Sequence, residues 1–357
     1  MKDIRILAIN PGSTSTKIAV FQNTEPIFLK NISHSTEELA PFQKITDQFE
    51  LRKKIILQQL CDAQINIDKV QAVVGRGGLL KPVQSGVYEV NEKMLADLRN
   101  SPLGEHASNL GGLIAYDLVK SLPNARAYIA DPIVVDEFEE LARIAGHPLF
   151  ERISIFHALN QKAIARDYAK GIHRKYEDLN LIVVHLGGGI TVGAHRKGRV
   201  IDTNQGLDGD GPFSPERSMT LPMGQMVRLC FSGKYSEKEV MKMIKGEGGM
   251  VAYLGTNNVL EVVKRIEAGE MKAKLIYEAM AYQVSKTIGE MYTVLKGEVD
   301  AILITGGIAY DKAFVELIQE RVYKLAPIHV FPGEDEMRAL AMNGLMVITG
   351  ELKAMVY

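Results

Sequence analysis

Three short segments carry residue types suited to binding phosphate. In Asn10-Pro11-Gly12-Ser13-Thr14-Ser15-Thr16-Lys17, small side chains let an anion approach the backbone, and hydroxyl and N–H groups can donate to it. His185-Leu186-Gly187-Gly188-Gly189-Ile190-Thr191 offers the same resource. Thr305-Gly306-Gly307-Ile308-Ala309 leaves an apolar run toward a helix, an open backbone suited to a flat adenosine or a phosphate. Taken singly, each turn is more often structural than functional. Three at the ends of apolar strands point to a nucleotide.

The cations fit that reading. Arg76 lies among Gly75, Gly77 and Gly78, and Arg217 closes the glycine- and proline-rich segment that begins at Gly209. A guanidinium in such a loop serves either an anion or a turn-stabilising ion pair. Asp131 ends a strand before Pro132, where a carboxylate can face a ligand, and His106 and His157 open predicted helices.

The elements that must position these groups alternate. Strands are expected at 4–10 and 16–22 around the first turn, with a third near 26–30. Further strands are expected at 70–74 and 126–130. Helices are expected at 47–63, 91–99, 106–121, 136–145 and 157–170. The opening pattern then recurs: an apolar strand at 181–184 runs into the second turn, followed by strands at 190–195 and 199–202. Helices near 222–231, 237–245, 258–268 and 271–296 follow. A strand at 301–305, a helix at 312–324, a strand at 328–331 and a last helix from about 335 close the pattern. The class is α/β. A hairpin with a glycine turn in each half suggests duplication, with a boundary near 155–175.

Composition narrows the partners. With 46% hydrophobic and 24% charged residues the chain reads as a globular protein, and its length suffices for two domains. A net charge of −1 gives no global field toward nucleic acid or an anionic membrane, so neither is expected as a partner. No apolar run reaches the ~18 residues of a membrane span, and the N-terminus has no signal-like apolar stretch, so a cytoplasmic location is expected. Cys61 and Cys230 are read as free, buried thiols. The sole Gly-Lys pair, Gly233-Lys234, precedes Tyr235, which excludes a P-loop. No G-x-G-x-x-G, His-Glu-x-x-His or Cys-x-x-Cys occurs.

At these residues the chain resembles the acetate and butyrate kinase family of the actin-like superfamily. The resemblance runs in order through N-P-G-S-T-S-T-K-I at 10–18, G-R-G-G at 75–78, E-H-A-S-N at 105–109 and A-D-P at 130–132. It continues through F-H-A-L-N at 156–160, H-L-G-G-G at 185–189, T-G-G-I-A at 305–309 and P-G-E-D-E-M at 332–337. Pro11, and Gly189 followed by Ile190, make it similar to the butyrate branch rather than the acetate branch.

The resemblance implies two duplicated actin-like (ribonuclease H-like) domains around an ATP cleft. These would be 1–160, joined by a C-terminal helix 340–357, and 161–339. It implies reversible phosphorylation of a short-chain acid by ATP to an acyl phosphate and ADP, with butyrate or a branched acid ahead of acetate or propionate. Asn10 and the turn Ser13, Thr14, Ser15, Thr16 and Lys17 would face the ATP phosphates, as would His185, Gly187, Gly188 and Gly189. Gly306, Gly307 and Ile308 would shape the adenosine site. Arg76 and Arg217 would flank the transferring phosphoryl group, and Arg76 and His106 the acid. His157 would donate to phosphoryl oxygens, and Asp131 would organise acid or metal. Mg²⁺ would be held at Asp335 or Glu336, within Glu334-Asp335-Glu336. A homo-oligomer, at least a dimer, is implied.

That chemistry suits the residues. A carboxylic acid with a pKa of about 4.3–5 is already ionised at neutral pH and needs no general base. The obstacle is repulsion between two anions, which cations around a loose in-line transition state relieve. A sugar kinase would need a carboxylate base in a sugar-binding loop, and none stands out. An actin-like ATPase module would have no need of both Arg76 and Arg217.

Overall fold

The computed structural model describes residues 3–102 and 104–357. The chain divides into two compact units. One comprises Met1–Val135, Ala158–Asn160 and Asp335–Tyr357; the other comprises Asp136–His157 and Gln161–Glu334.

The chain opens with β1 (Arg5–Pro11), β2 (Ser15–Gln22), β3 (Glu25–Ser33), α1 (Thr36–Leu39), α2 (Phe49–Asp62) and β4 (Val70–Arg76). Next come β5 (Val87–Glu89), α3 (Glu92–Asn100), α4 (Asn109–Val119), β6 (Arg126–Ala130), α5 (Glu140–Arg143) and α6 (Ala158–Gly171). Then follow β7 (Asn180–Leu186), β8 (Ile190–Arg196), β9 (Arg199–Thr203), α7 (Met223–Cys230), α8 (Glu237–Ile244) and α9 (Gly249–Leu254). The remainder is α10 (Val259–Glu267), α11 (Met271–Val294), β10 (Ala301–Gly306), α12 (Lys312–Val322), β11 (Ile328–Pro332), α13 (Glu336–Thr349) and β12 (Met355–Val356).

In the first unit the sheet order is β12-β5-β6-β4-β1-β2-β3; in the second it is β11-β10-β7-β8-β9. Both are built alike. An antiparallel meander, β1-β2-β3 or β7-β8-β9, is extended by parallel strands beside its first member, β4 and β6 or β10 and β11. The expected duplication is thus a shared topology. β7 is buried along its whole length, as a central strand covered on both faces requires. β3 is largely exposed and forms an edge.

Each unit has its own core. In the first, Leu7, Ile9 and Val73 pack with Leu95, Leu110 and Ile114; in the second, Ile182, Val184 and Ile304 pack with Met280, Val284 and Phe314. In the first unit α4 lies directly on the end of β4. A Cβ at Gly75 would collide with the Gly111 backbone, and one at Gly111 with the Arg76 backbone. Those glycines let helix and strand touch where Arg76 emerges.

Three expectations are corrected. The helix at 136–145 shrinks to the single turn of α5. Asp136 accepts from the Phe138 N–H at 3.1 Å and holds Arg143 through two 2.7 Å bonds, a local network that competes with helical pairing. α4 starts at Asn109 instead of His106, because His106 Nδ1 accepts from the Ser108 N–H at 3.2 Å and contacts its hydroxyl. Cys61 and Cys230 are free but exposed, not buried.

Candidate active site

In the first unit, the parallel strands β1, β4 and β6 bring their C-terminal ends level. Ile9 pairs with Gly75, and Arg76 with Ala130, so Asn10, Arg76 and Asp131 leave adjacent strand ends together. Ligands of α/β sheets bind at such edges. Arg76 reaches Asn10 Oδ1 and both Glu336 oxygens, each at 3.3 Å, and Asn10 Nδ2 also donates to Glu336. Glu336, in the first turn of α13, is therefore in the cluster. Asp335 instead caps α13, accepting from the Arg338 N–H at 3.0 Å.

Asp131 is buried, with φ at +35°, a conformation that costs a non-glycine residue about 1–3 kcal/mol. Its Oδ1 accepts from the Ser85 hydroxyl at 2.6 Å and the Gly86 N–H at 2.9 Å. His106 lies in the loop before α4, whose Asn109 Oδ1 accepts from the Leu79 N–H just beyond Gly78.

The turn between β1 and β2 is held from behind. Arg52 of α2, only 1% exposed, donates to the carbonyls of Gly12, Ser13 and Ser15 and to the Thr16 hydroxyl, all at 2.8–3.0 Å. The Thr14 carbonyl accepts from the His34 N–H at 2.8 Å. Every carbonyl from residue 12 to 15 thus accepts a hydrogen bond from the protein, which holds the backbone of the turn in place. Ser13 and Thr14 are exposed, as is Lys17 on β2. Thr16 is buried, its hydroxyl shared between Arg52 and His34 Nε2.

Arg52, which holds this turn in place, is a residue that sequence reasoning missed. Gln48 orients it through two bonds at 2.8 and 3.0 Å. No carboxylate among the described residues pairs with it, and burial alone lowers its pKa to about 10. At neutral pH it remains a cation beneath the turn. Burial, and then Arg52, lower the His34 pKa below 6.5, against the opposing effect of Glu38. The available signal was spacing: Arg52, Ile56 and Leu60 share one buried face of α2.

In the second unit the corresponding edge is formed by β7, β10 and β11. His185 pairs with Thr305, and Gly306 with Pro332. The β7–β8 turn closes with the Gly187 N–H on the Gly189 carbonyl at 3.1 Å, and Ser214 Oγ donates to the Gly188 carbonyl at 2.6 Å. Arg217 lays its guanidinium on Gly189, where any Cβ would collide with it, and donates to the Gly206 carbonyl. His157, which precedes α6, stacks on His185 with centroids 3.7 Å apart and planes 11° from parallel. His185 Nε2 lies 3.2 Å from Glu334 Oε1.

Gly306 has φ of +97° and sits over Leu186, so glycine is required twice over. Gly307 faces open space. Ile308 turns into the second core, a packing role. Within the first unit the structure joins Asn10, Arg76 and Glu336. Within the second it joins His157 with His185, and Arg217 with Gly189.

The profile of the acetokinase family matches residues 151–346. Butyrate kinase 2 of Clostridium acetobutylicum is 55% identical over 353 residues, covering 99% of each chain. The chain belongs to the acetokinase family. Among solved structures, Porphyromonas gingivalis acetate kinase is similar with a TM-score of 0.78 at 18% identity, over 97% of this chain and 100% of that one. A propionate kinase from Francisella tularensis gives 0.77 at 18%, over 95% and 98%. At those identities the likeness concerns fold. The two-sheet α/β architecture is the actin-like ATPase fold of acetokinases. No helix among the described residues of this acetokinase-family chain is long and apolar enough to cross a membrane.

Proposed function

We propose that this chain transfers the γ-phosphoryl group of ATP reversibly to the carboxylate of butyrate, or of a branched short-chain acid, giving an acyl phosphate and ADP. The observation that carries this reading is the 55% identity with butyrate kinase 2 over 99% of both chains. The site chemistry supports it. An ionised carboxylate needs cations and donors rather than a base; Arg76 emerges at a strand end beside Asn10, and Arg217 packs its guanidinium on the β7–β8 turn at Gly189.

In this reading Asn10, Ser13–Thr16 and Lys17 bind the ATP phosphates, and His185 and Gly187–Gly189 do the same. Gly306, Gly307 and Ile308 border the adenosine, while His157 donates to the phosphoryl group. Arg76 and His106 meet the acid, and Asp131 fixes the loop at Ser85–Gly86 beside it. Thr16 acts through the backbone of its turn, since its hydroxyl is turned inward.

Among the described residues no three His, Cys, Asp or Glu side chains gather to hold a metal. That suits Mg²⁺ held by one or two carboxylates together with nucleotide phosphates. Glu336 is the better ligand, because it meets Asn10 and Arg76 while Asp335 is committed to a helix cap. Bound Mg²⁺ would screen phosphate charge. We further propose a cytoplasmic homo-oligomer.

The test is hydroxamate trapping with ATP and Mg²⁺. Acyl hydroxamate should form, with kcat/KM higher for butyrate or isobutyrate than for acetate and propionate. One methylene is worth only about 1–3 kcal/mol, so neighbouring acids should overlap. ATP loss without hydroxamate would favour a simple ATPase module, and a preference for acetate would reassign the acid.

A further inference from the structure

Behind His157 runs a line of buried side chains that the reaction itself does not require. Tyr176 OH lies 2.7 Å from His195 Nδ1, and His195 Nε2 lies 2.9 Å from Gln161 Oε1. Gln161 Nε2 reaches Thr191 Oγ1 at 2.8 Å and the Thr191 carbonyl at 3.2 Å, and Thr191 Oγ1 lies 2.9 Å from His157 Nδ1. His195, Gln161 and Thr191 are fully buried, and Tyr176 is 4% exposed.

The direction of each bond follows from one fixed point. A backbone carbonyl only accepts, so the Gln161 atom facing the Thr191 carbonyl is its NH₂. Its oxygen therefore faces His195 Nε2, which must carry the ring proton. Burial, with Lys162 and Arg166 adding to it, holds the His195 pKa well below 6.5, so the ring is neutral and Nδ1 accepts the tyrosine proton. Thr191 Oγ1 takes the Gln161 N–H and, at 3.5 Å, the His157 backbone N–H. Its own proton is left for His157 Nδ1.

We infer that Tyr176, His195, Gln161 and Thr191 form a one-way donor chain that locks His157 in the tautomer with its proton on Nε2, making that nitrogen the ring's hydrogen-bond donor. This rests on the reading of His157 as a phosphoryl contact and makes the four others positioning residues. Bonds aligned head to tail polarise one another, so the last donor is strengthened. The stack on His185 fixes the ring plane.

The test separates chain from reaction. ¹⁵N NMR of histidine-labelled full-length protein should show His157 Nδ1 as an unprotonated ring nitrogen and Nε2 as a protonated one, without any turnover. Thr191→Val should mix the tautomers and lower kcat by roughly 10- to 100-fold, with KM for ATP within about 3-fold. Thr191→Ser, which keeps the hydroxyl, should recover most of that loss. Tyr176→Phe, a gentler change at the far end, should lower kcat by about 2- to 5-fold in a folded protein. A proton on Nδ1 in the unmodified protein would overturn the inference, and so would Thr191→Val with unchanged kcat. Failure to form acyl hydroxamate would instead overturn the function, while the tautomer still reports on the chain.

Discussion

The β1–β2 turn and the β7–β8 turn occupy equivalent positions in two sheets of the same topology, yet each is backed differently. Behind the first, Arg52 is buried and gathers four backbone and hydroxyl oxygens. Behind the second, Ser214 takes one carbonyl and the half-buried Arg217 fills the space that a side chain at Gly189 would need. The first guanidinium comes from a helix after the hairpin and the second from a loop after β9. The shared requirement is a protein donor for carbonyls of the turn. A glycine-rich turn does not meet it alone; residues far along the chain do.

The largest effect should come from removing the buried cation. Arg52→Met strands several acceptors at about 1–3 kcal/mol each, so denaturant unfolding should lose at least about 3 kcal/mol. Lysine should restore little, lacking the planar fork. A loss below about 1 kcal/mol would break the comparison. Arg217→Ala should behave the opposite way, keeping the fold while kcat falls by at least ~10²-fold. Arg76→Ala should match it, and normal turnover in either variant would remove that arginine from the reaction.

Gly306 and Gly307 sharpen the contrast within the second unit. Gly306→Ala meets both positive φ and the Leu186 backbone, and should cost about 2–4 kcal/mol on thermal unfolding. Gly307→Ala should cost under about 0.5 kcal/mol but raise KM for ATP if the open space beside it belongs to the nucleotide.

The smallest effect concerns pH. Each unit keeps a buried imidazole, His34 beside the β1–β2 turn and His195 at the far end of β8, with the folded pKa lowered by burial. The unfolded chain then binds more protons below about pH 6.5, so stability present above that pH is lost as pH falls through it. Tm should drop by a few degrees between about pH 7 and 6, and His195→Gln should flatten the curve. A Tm that rises over that interval would contradict the neutral rings.

Both hairpins were legible in the sequence because β-branched runs bracket glycine-rich turns, a local signal. β5 and β12 were not: they are three and two residues long and pair across most of the chain, Tyr88 with Met355. Asn10, Arg76 and His185 stand out by neighbouring glycines. Arg52 does not, because an arginine on a helix reads as surface until the oxygens it faces are known. The chain behind His157 was equally hidden, since Tyr176, Gln161, Thr191 and His195 have no common motif and meet only through β7–β8 pairing and the start of α6. The failed helix at 136–145 had helical composition, overruled by one aspartate bound to its own neighbours.

Residues 335–357 belong to the first unit although some 200 residues separate them from Val135. α13 lies on the first sheet, where Gly344 touches Ile6 and Val74, and it supplies the carboxylate that neutralises Arg76. On the ribosome this unit must therefore wait. At about 5–20 residues per second, its sheet stands for roughly 10–45 s without its closing helix while the second unit emerges and can fold first. During that interval Arg76 has no Glu336, and the sheet face at Ile6 and Val74 is without its covering helix. Assembly of the first unit is thus tied to synthesis of α13, long after its own first 135 residues.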